Sequence, residues 1–248
     1  MKNKFSHQLL EWYFSRKRKM PWRGETDVYK IWLSEVMLQQ TQVETVKPYY
    51  LRWLKKFPNT ESVASATEEE VLKLWEGLGY YARARNFKYA CEWIQKENNG
   101  EIPKESVAFR QLKGVGDYIH AAVRSIAFNE ALPAIDGNVK RVISRILQIK
   151  TPPSKALHII SQYLLDVISH ESPGDFNQAI MDLGSTICKP KNPKCNECNI
   201  NNFCLAFENK TMENYPLSEK KRAIPHHKIA VGIIWKENKI LISKRHSN

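Results

Sequence analysis

Four of the five cysteines in this chain lie within one short stretch and have the chemistry of a metal centre. Cys188, Cys195, Cys198 and Cys204 have the spacing C-x6-C-x2-C-x5-C, and only Cys91 lies elsewhere. Thiolates this close in sequence can surround one centre without closing a long loop. A disulfide framework would spread its cysteines along the chain, and we identify no secretory segment in the sequence. We therefore expect metal ligation here.

Two kinds of metal centre fit this cysteine cluster. Zinc bound by four cysteines usually takes them from two C-x2-C pairs, and here only Cys195 and Cys198 form such a pair. A cubane iron–sulfur cluster also takes four cysteines and tolerates uneven spacing. The residues alone therefore favour iron–sulfur over zinc and leave unliganded cysteines as a third interpretation.

The charge of the chain indicates a polyanionic partner. Among 248 residues, 38 Lys and Arg stand against 26 Asp and Glu, which gives a formal net charge of +12. Such an excess is typical of proteins that bind nucleic acid or an anionic membrane surface. No segment approaches the ~18 consecutive apolar residues of a membrane helix, and residues 1–19 fit an amphipathic helix that ends in a basic run. We expect an intracellular protein, located in the cytoplasm.

Helix-start signals recur through most of the chain. Asp27 is placed to cap a helix running to about Leu38, and two pairs, Thr41 with Glu44 and Thr67 with Glu70, fit capping boxes. Further helices are predicted over about 80–98, 118–128, 137–149, 154–170 and 174–187. Because no convincing strand precedes the cysteines, residues 1–215 are predicted to form an all-α domain that includes the cysteine loop, 188–204.

The residue pattern changes after this helical part. A basic, proline-flanked linker is predicted over residues 216–227. Residues 228–235 and 239–244 are then typical of two β-strands, with Glu237 and Asn238 at the turn between them. A lone hairpin is marginal in water and exposes unpaired edges. We therefore expect residues 228–248 to be the start of a second domain, truncated after its first hairpin.

A glycine-containing turn precedes one of the predicted helices. Gly114 and Gly116, in the segment LKGVG, permit a tight turn and a close approach of the backbone. The following helix offers unpaired N–H groups and the positive end of its dipole, which together suit a phosphate. An ordinary turn between two helices fits the same residues equally well.

Taken together, these features resemble the helix–hairpin–helix DNA glycosylase superfamily with an iron–sulfur loop. Two branches share that frame, the endonuclease III-like enzymes and the adenine-DNA glycosylases of the MutY type. The resemblance covers about residues 5–210 and resumes after Pro225. The segments that resemble the adenine-specific branch are 21–23 (PWR), 28–43 (VYKIWLSEVMLQQTQV), 75–86 (WEGLGYYARARN), 135–141 (IDGNVKR), 176–179 (FNQA) and 181–184 (MDLG).

The resemblance implies a DNA repair enzyme with one 4Fe-4S cluster. Its expected substrate is double-stranded DNA with adenine mispaired with 8-oxoguanine or guanine, bound by a monomer. It further implies that residues 228–248 begin a Nudix-like α/β domain, which in this family reads the 8-oxoguanine opposite the adenine. With only one hairpin present, recognition of 8-oxoguanine is expected to be incomplete.

Cleavage of an N-glycosidic bond requires two carboxyl groups with different roles. One protonates the leaving base, and the other stabilises the cationic sugar. The resemblance assigns these roles to Glu35 and Asp136. The apolar neighbours of Glu35 should raise its pKa, whereas Asp136 precedes a predicted helix whose dipole favours the ionised form. Without the resemblance, Glu35 fits the polar face of a helix and Asp136 an N-cap.

Tyr118 separates the two branches. Lyase-type members have a lysine two positions after the second glycine, and that lysine attacks the sugar as a Schiff-base nucleophile. In this chain the position is Tyr118. Because a phenol forms no imine, we expect a monofunctional glycosylase that uses water and leaves an abasic site.

A base inside a duplex must be extruded before its bond is attacked. By resemblance, Gln40 and Tyr80 pry open the pair and fill the gap, and Arg23, Leu38 and Gln178 hold the flipped adenine. The other DNA-contacting positions implied by the resemblance are Trp22, which would close the pocket, Gly114, Gly116 and Asn138.

Some residues depart from the family pattern, and two other functions remain open. Asp117 places negative charge beside the proposed phosphate site, and His120 is bulkier than the family pattern leads us to expect. One alternative is an endonuclease III-like enzyme acting on oxidised pyrimidines, against which Tyr118 argues. The other is a non-catalytic DNA-binding remnant, against which Glu35 and Asp136 argue.

Overall fold

The computed structural model describes residues 2–218, 226, 228 and 232–243. The chain divides into two units, Met1–Ser218 and Glu219–Asn248. The described residues of the first unit contain twelve α-helices and three short 3₁₀ turns, and no strand, as predicted for an all-α domain. The helices are α1 (Lys2–Arg16), α2 (Val28–Leu38), α3 (Val43–Lys56), α4 (Thr60–Ser65), α5 (Glu68–Trp75), α6 (Ala82–Glu97), α7 (Ser106–Gln111), α8 (Asp117–Phe128), α9 (Gly137–Ile146), α10 (Leu157–Val167), α11 (Pro173–Thr186) and α12 (Leu205–Glu208), and the 3₁₀ turns are Cys195–Glu197, Asn201–Phe203 and Met212–Asn214.

Two of the predicted helix starts are confirmed by their capping bonds. Asp27 Oδ1 accepts hydrogen bonds from the backbone N–H groups of Tyr29 (2.9 Å) and Lys30 (3.4 Å) and so begins α2. Thr67 and Glu70 each bond the backbone N–H of the other, which is a complete capping box at the start of α5. Each of these caps depends only on residues within a few positions of the helix start, and it can therefore be predicted from the sequence.

The capping box predicted for Thr41 and Glu44 is wrong. Helix α3 begins at Val43, and its N-cap makes no side-chain bond. The Thr41 hydroxyl is engaged elsewhere, because it accepts a hydrogen bond from Arg83 Nη2 at 3.2 Å and lies 3.3 Å from the Gln39 carbonyl oxygen. A contact from a distant helix therefore overrides the local capping signal.

Two hydrophobic cores lie side by side in the first unit. The first joins α2 to α8 around a cluster of buried rings, in which Trp32 contacts Phe87 (4.5 Å between centroids) and Trp53 contacts Trp75 (5.6 Å). The second joins α1 to α9, α10 and α11. Because α8 packs on both α2 and α11, residues from the two cores meet along a shared boundary.

The glycine-containing turn connects α7 to α8. Gly114 has φ +87°, and a Cβ at this position would lie 2.9 Å from Asn86 Cβ on α6. Both facts require glycine at this position. Gly116 has φ −83° and is the N-cap residue of α8, with open space where its Cβ would be.

The second unit contains one short antiparallel hairpin among its described residues. Its strands are β1 (Trp235–Lys236) and β2 (Lys239–Ile240). Glu237 (φ 48°) and Asn238 (φ 61°) form the turn, as predicted, with the positive φ angles of a tight hairpin turn.

The strands are shorter than the predicted 228–235 and 239–244. Residues 228, 232–234 and 241–243 are described and lie outside strands, whereas 229–231 and 244 lie outside the described residues. Within the described part of this unit no third strand or helix covers the hairpin, and its apolar side chains, Trp235 among them, are exposed. Two strands without a covering layer gain little from longer pairing.

No helix among the described residues is both long and apolar enough to cross a lipid bilayer.

Candidate active site

A cavity of about 470 Å³ opens at the boundary between the two cores. Its walls come from α2, α8 and α11, from the starts of α3 and α9 with the residues just before them, and from the segment between α1 and α2. Sequence-predicted site residues that line it are Trp22, Arg23, Glu35, Leu38, Tyr118, Asp136, Asn138 and Gln178. Folding therefore brings together side chains that are up to 156 positions apart in the sequence, from Trp22 to Gln178.

Glu35 is a buried carboxyl on a largely apolar helix, α2. Only 7% of its surface is exposed, and the Tyr118 hydroxyl donates a hydrogen bond of 2.6 Å to Glu35 Oε2. Burial raises the pKa of Glu35, and the charge of Asp136 acts in the same direction. The Tyr118 hydrogen bond and the charge of Arg23 oppose this rise without cancelling it. The geometry suits a group that keeps its proton at higher pH than an ordinary glutamate.

Asp136 lies across the same cavity and is held by two donors. Its Oδ1 accepts the backbone N–H of Val139 at 2.7 Å, and its Oδ2 accepts Asn138 Nδ2 at 2.9 Å. Asp136 is thus the N-cap of α9, as its position before Gly137 predicted. Both oxygens are oriented by the start of this helix.

A hydrogen-bond chain joins Asp136 to the cysteine loop. Arg141 Nη2 donates to Asn138 Oδ1 (2.8 Å), and Arg141 Nε donates to the carbonyl oxygen of Cys188 (2.8 Å). Asn138 in turn donates to Asp136. The position of the carboxylate therefore depends on the loop through two side chains of α9, a connection that residue spacing alone does not reveal.

One wall of the cavity carries paired charges. Arg23 Nη1 donates to Gln178 Oε1, and Arg23 Nη2 donates to Asp182 Oδ1 at 3.0 Å. Arg18 donates to the same Asp182 oxygen at 2.6 Å. Because the Gln178 oxygen is engaged, its amide nitrogen is the group left to donate to a molecule in the cavity.

Sequence reasoning missed Asp182 and Arg18. Asp182 belongs to the quoted segment MDLG, and Arg18 to the basic run near the N-terminus. Neither position has a pattern that marks it as a site residue, because the pairing connects residues 164 positions apart. The nearest available signal was an aspartate between two apolar residues, Met181 and Leu183.

A second cavity, of about 810 Å³, adjoins the first, and the predicted site residues that line both are Leu38, Tyr118, Asp136 and Asn138. Gln40 and Tyr80 line this second cavity. Both have left-handed backbones, with φ 55° at Gln40 and φ 47° at Tyr80, which non-glycine residues adopt uncommonly. The Tyr80 side chain is 61% exposed. Two strained loops therefore present an amide and a ring at the mouth of the site.

The hairpin glycines, Gly114 and Gly116, lie outside both cavities. The acidic residue that follows them is paired, because Arg110 Nη2 donates to Asp117 Oδ1. The Asp117 side chain is 95% exposed. Arg110 therefore partly neutralises the negative charge beside the predicted phosphate site. A separate groove of about 690 Å³, on the outer surface of α3 and α5, contains none of the predicted site residues.

The four clustered cysteines have the surroundings of metal ligands. Burial raises the pKa of Cys195 and of Cys204, and raises the pKa of Cys198 to about 12. Charge on Cys188 raises all three pKa values further, so the four sulfurs share one neighbourhood. Without a cationic centre such thiols would stay protonated, and with one they become thiolates.

Hydrogen-bond donors surround these sulfur atoms. Arg145 Nη1 donates to Cys188 Sγ at 3.3 Å, and backbone N–H groups of Ile200 and Phe207 bond Cys198 and Cys204. Donors of this kind stabilise the negative sulfur ligands of an iron–sulfur cluster. The residues therefore fit a cluster.

Two family models match the chain. Residues 33–164 match the model of the HhH-GPD superfamily of base excision DNA repair proteins. Residues 188–204 match the iron–sulfur binding domain of endonuclease III, and they include the four clustered cysteines. This second match confirms the iron–sulfur prediction over zinc.

Curated relatives agree with these models. The adenine DNA glycosylase of Rattus norvegicus is 42% identical over 217 residues, which are 82% of this chain and 42% of that protein. The adenine DNA glycosylase of Buchnera aphidicola subsp. Schizaphis graminum is 37% identical over 243 residues, which are 97% of this chain and 70% of that protein. The chain thus spans about two fifths of the length of the rat relative.

Solved structures have the same fold. A thermostable thymine-DNA glycosylase superposes with a TM-score of 0.76 at 28% identity, over 84% of this chain and 97% of that one. A trapped endonuclease III–DNA covalent intermediate superposes with a TM-score of 0.70 at 20% identity, over 84% and 95% of the two chains. At that identity the second likeness concerns the fold alone.

Proposed function

The chain belongs to the HhH-GPD superfamily of base excision DNA repair proteins and, within it, to the adenine DNA glycosylases, and we propose on this premise that it hydrolyses the N-glycosidic bond of adenine mispaired with 8-oxoguanine or guanine. The observation that carries the proposal is the pair of carboxyls, Glu35 and Asp136, that line one cavity in different surroundings. Pairs of this kind divide the roles of acid and charge stabiliser.

Glu35 is the general acid of the proposed reaction. Its pKa is raised above that of an ordinary glutamate, so it keeps its proton to higher pH, and that proton passes to a ring nitrogen of adenine as the bond to the sugar breaks. The base then leaves in neutral form. Tyr118 holds Glu35 Oε2, so the other oxygen is left to face the base.

Asp136 stabilises the sugar as it becomes cationic. Its two oxygens are already held by Val139 N–H and Asn138, so little reorganisation is needed when positive charge develops. Water then adds to the anomeric carbon, and an abasic site remains. Because Tyr118 supplies no amine, no Schiff base forms and the strand stays intact.

Adenine is held by side chains that line the same cavity as the carboxyls. The amide nitrogen of Gln178, oriented by Arg23, donates to a ring nitrogen of the base. Leu38 and Trp22 provide apolar surface for its faces. Asp182 keeps Arg23 in place and partly neutralises its charge.

The duplex is opened and held by residues outside this pocket. Tyr80 and Gln40 enter the space vacated by the extruded adenine, which their position at the cavity mouth supports. The open space beside Gly116 leaves room for a phosphate at the start of α8, with Gly114 shaping the turn. Asn138 lines both cavities and contacts the DNA near the sugar.

One 4Fe-4S cluster is bound by Cys188, Cys195, Cys198 and Cys204. When bound, the cluster orders a loop that has little apolar content of its own. Through Arg141 and Asn138 this loop also supports the position of Asp136.

We further propose that three segments of the chain have different functions. Residues 1–215 are the catalytic domain, 216–227 a linker, and 228–248 the first hairpin of a Nudix-like domain that reads 8-oxoguanine. The boundary between units after Ser218 supports a linker there. The same adenine enters the pocket from both mispairs, so preference depends on contacts to the opposite base, each worth ~1–3 kcal/mol.

A strand-break assay tests the proposal. Duplexes carry adenine opposite 8-oxoguanine, guanine or thymine, and a fourth duplex carries an oxidised pyrimidine. We expect breaks only after alkali, and only for adenine opposite 8-oxoguanine or guanine. Breaks without alkali on the oxidised pyrimidine would indicate an endonuclease III-like enzyme. Binding without breaks on any duplex would indicate a non-catalytic protein.

A further inference from the structure

Arg83, in the first turn of α6, binds the end of helix α2. Its Nη1 lies within hydrogen-bond distance of three carbonyl oxygens, those of Val36 (3.0 Å), Met37 (2.8 Å) and Gln39 (2.6 Å). Carbonyls at the end of a helix have no partner within it. The guanidinium therefore caps α2 just beyond Glu35 and just before Gln40.

The same guanidinium binds a second loop. Arg83 Nη2 donates to the carbonyl oxygens of Leu78 (3.2 Å) and Gly79 (3.1 Å), immediately before Tyr80. It also donates to Thr41 Oγ1 at 3.2 Å, on the far side of Gln40. Its contacts thus lie on both sides of Gln40 and immediately before Tyr80, the two residues with left-handed backbones at the mouth of the site. The short segments that contain them, residues 39–41 and 78–80, are here called the wedge loops.

Two aromatic rings complete these contacts. The guanidinium carbon of Arg83 lies 5.2 Å from the centre of the Trp75 ring and 5.6 Å from that of Tyr80. Trp75 is buried, and its indole N–H donates to the Gly79 carbonyl at 3.0 Å. The cation therefore rests on a fixed ring on one side and supports the exposed Tyr80 ring on the other.

Strained backbones persist only where their surroundings determine them. Gln40 and Tyr80 are strained in this sense, and one side chain makes four polar contacts to the loops that contain them and two more to the end of α2. Arginine is suited to this role because its planar fork offers five donors in fixed directions. A lysine, with three donors on a compact head, cannot reach both loops in this arrangement.

We propose that Arg83 is a positioning residue that holds the two wedge loops at one spacing, so that Gln40 and Tyr80 enter the duplex together. The inference rests on the proposed function, in which these two side chains replace the extruded adenine. Arg83 lines the second cavity, and its polar contacts described above include neither carboxyl. Its loss therefore slows extrusion of adenine, and chemistry on an adenine that needs little extrusion is less affected.

The test compares two substrates in single-turnover adenine release. One duplex has adenine opposite 8-oxoguanine, and the other has adenine opposite a tetrahydrofuran abasic-site analogue, where no base pair resists extrusion. A third duplex carries 2-aminopurine in place of adenine, whose fluorescence rises when it leaves the stack. The variants are Arg83→Gln, Arg83→Lys and the milder Thr41→Val, which removes one contact of Arg83. Arg85→Gln, two residues along the same helix, is the control for lost charge.

We expect Arg83→Gln to lose about a hundredfold in rate on the 8-oxoguanine duplex, the size of effect that misplaced positioning groups produce. The loss should be at least about tenfold smaller on the abasic-site duplex, because unstacking an unpaired base is easier. In Arg83→Gln the rise in 2-aminopurine fluorescence should be smaller than in the unsubstituted chain, in parallel with the slower rate. The rate loss in Arg83→Lys should lie between that of Arg83→Gln and that of the unsubstituted chain. Thr41→Val should show a smaller loss of the same kind, and Arg85→Gln should release adenine as fast as the unsubstituted chain.

Equal losses on both duplexes would overturn the inference, because they would indicate damage to the fold or to the chemistry. An unchanged 2-aminopurine signal would overturn it as well. If both Arg83 variants lose their iron, which would indicate a damaged fold, Thr41→Val is the deciding variant. A rate loss in Thr41→Val that is not larger on the 8-oxoguanine duplex than on the abasic-site duplex then counts against the inference. No adenine release by the unsubstituted chain would instead contradict the proposed function, and the 2-aminopurine arm would still report on the wedge loops.

Discussion

The hydroxyl of Tyr118 donates a 2.6 Å hydrogen bond to Glu35 Oε2 inside the cavity. The two residues are 83 positions apart, on helices α2 and α8, which pack against each other. This bond stabilises the ionised carboxyl and so opposes the effect of burial on the pKa of Glu35. Tyr118 therefore limits how tightly the proposed acid holds its proton.

Replacing Tyr118 by phenylalanine should move the pH dependence of adenine release. Without the phenol the pKa of Glu35 rises further, because a bond that lowers it has been removed. The acid then stays protonated to higher pH, and the alkaline limb of the single-turnover pH profile should shift upward. A limb that stays in place or moves to lower pH would show that Glu35 is not the titrating group.

The buried Glu35 should also reduce the stability of the protein at neutral pH. Its native pKa is raised above the ordinary value of 4.5, so the folded state binds more protons than the unfolded state as pH rises above 4.5. The free energy of unfolding contributed by this group therefore falls as pH rises through that window. Glu35→Gln, which cannot ionise, should have a higher Tm than the unsubstituted chain at pH 7, and the two values should converge towards pH 4.5. A lower Tm for the variant at pH 7 would contradict this.

Asp117 should weaken DNA binding by placing negative charge beside the proposed phosphate site. Asp117→Ala removes that charge and frees Arg110, so affinity for an undamaged duplex should rise about two- to fivefold, the usual range for exposed charges. Arg110→Ala is the matched variant and should weaken binding, because it leaves Asp117 unpaired. Fluorescence anisotropy at two salt concentrations measures both. Unchanged affinity in Asp117→Ala would mean that no phosphate approaches this turn.

Loss of one clustered cysteine should remove the iron. The purified chain should contain about four irons, as a cubane requires. Cys198→Ser should lose the yellow-brown absorbance, unfold at lower temperature and bind DNA more weakly, since the ligands order the loop. Cys91→Ala, outside the cluster, should retain its iron. Stoichiometric zinc in a protein purified without air would contradict the assignment.

Local features of this protein were predictable from its sequence, and contacts between distant residues were not. The caps at Asp27 and Asp136 and the box at Thr67 depend on residues within one turn. The Thr41 prediction failed because Arg83, 42 positions away, takes its hydroxyl. Within the described residues, the strands beside the Glu237 turn were predicted too long, because residue types do not reveal whether another element will cover a strand.

The candidate site shows the same limit. Resemblance pointed to Glu35, Tyr118 and Asp136 separately, and the structure adds that they share one cavity. Asp182 and Arg83 were missed because their importance lies in partners far along the chain, with no spacing pattern to mark them. Long-range polar contacts of this kind require coordinates.

The most direct test of the account is the single-turnover rate of adenine release from an adenine:8-oxoguanine duplex, measured for the unsubstituted chain and for Glu35→Gln. The amide keeps the shape of the side chain but has no proton to give. We expect release by the unsubstituted chain, a loss of ~10²–10⁴ in the variant, and nearly equal DNA affinity for both. Near-normal release by Glu35→Gln would contradict the claim that Glu35 is the acid of an adenine glycosylase.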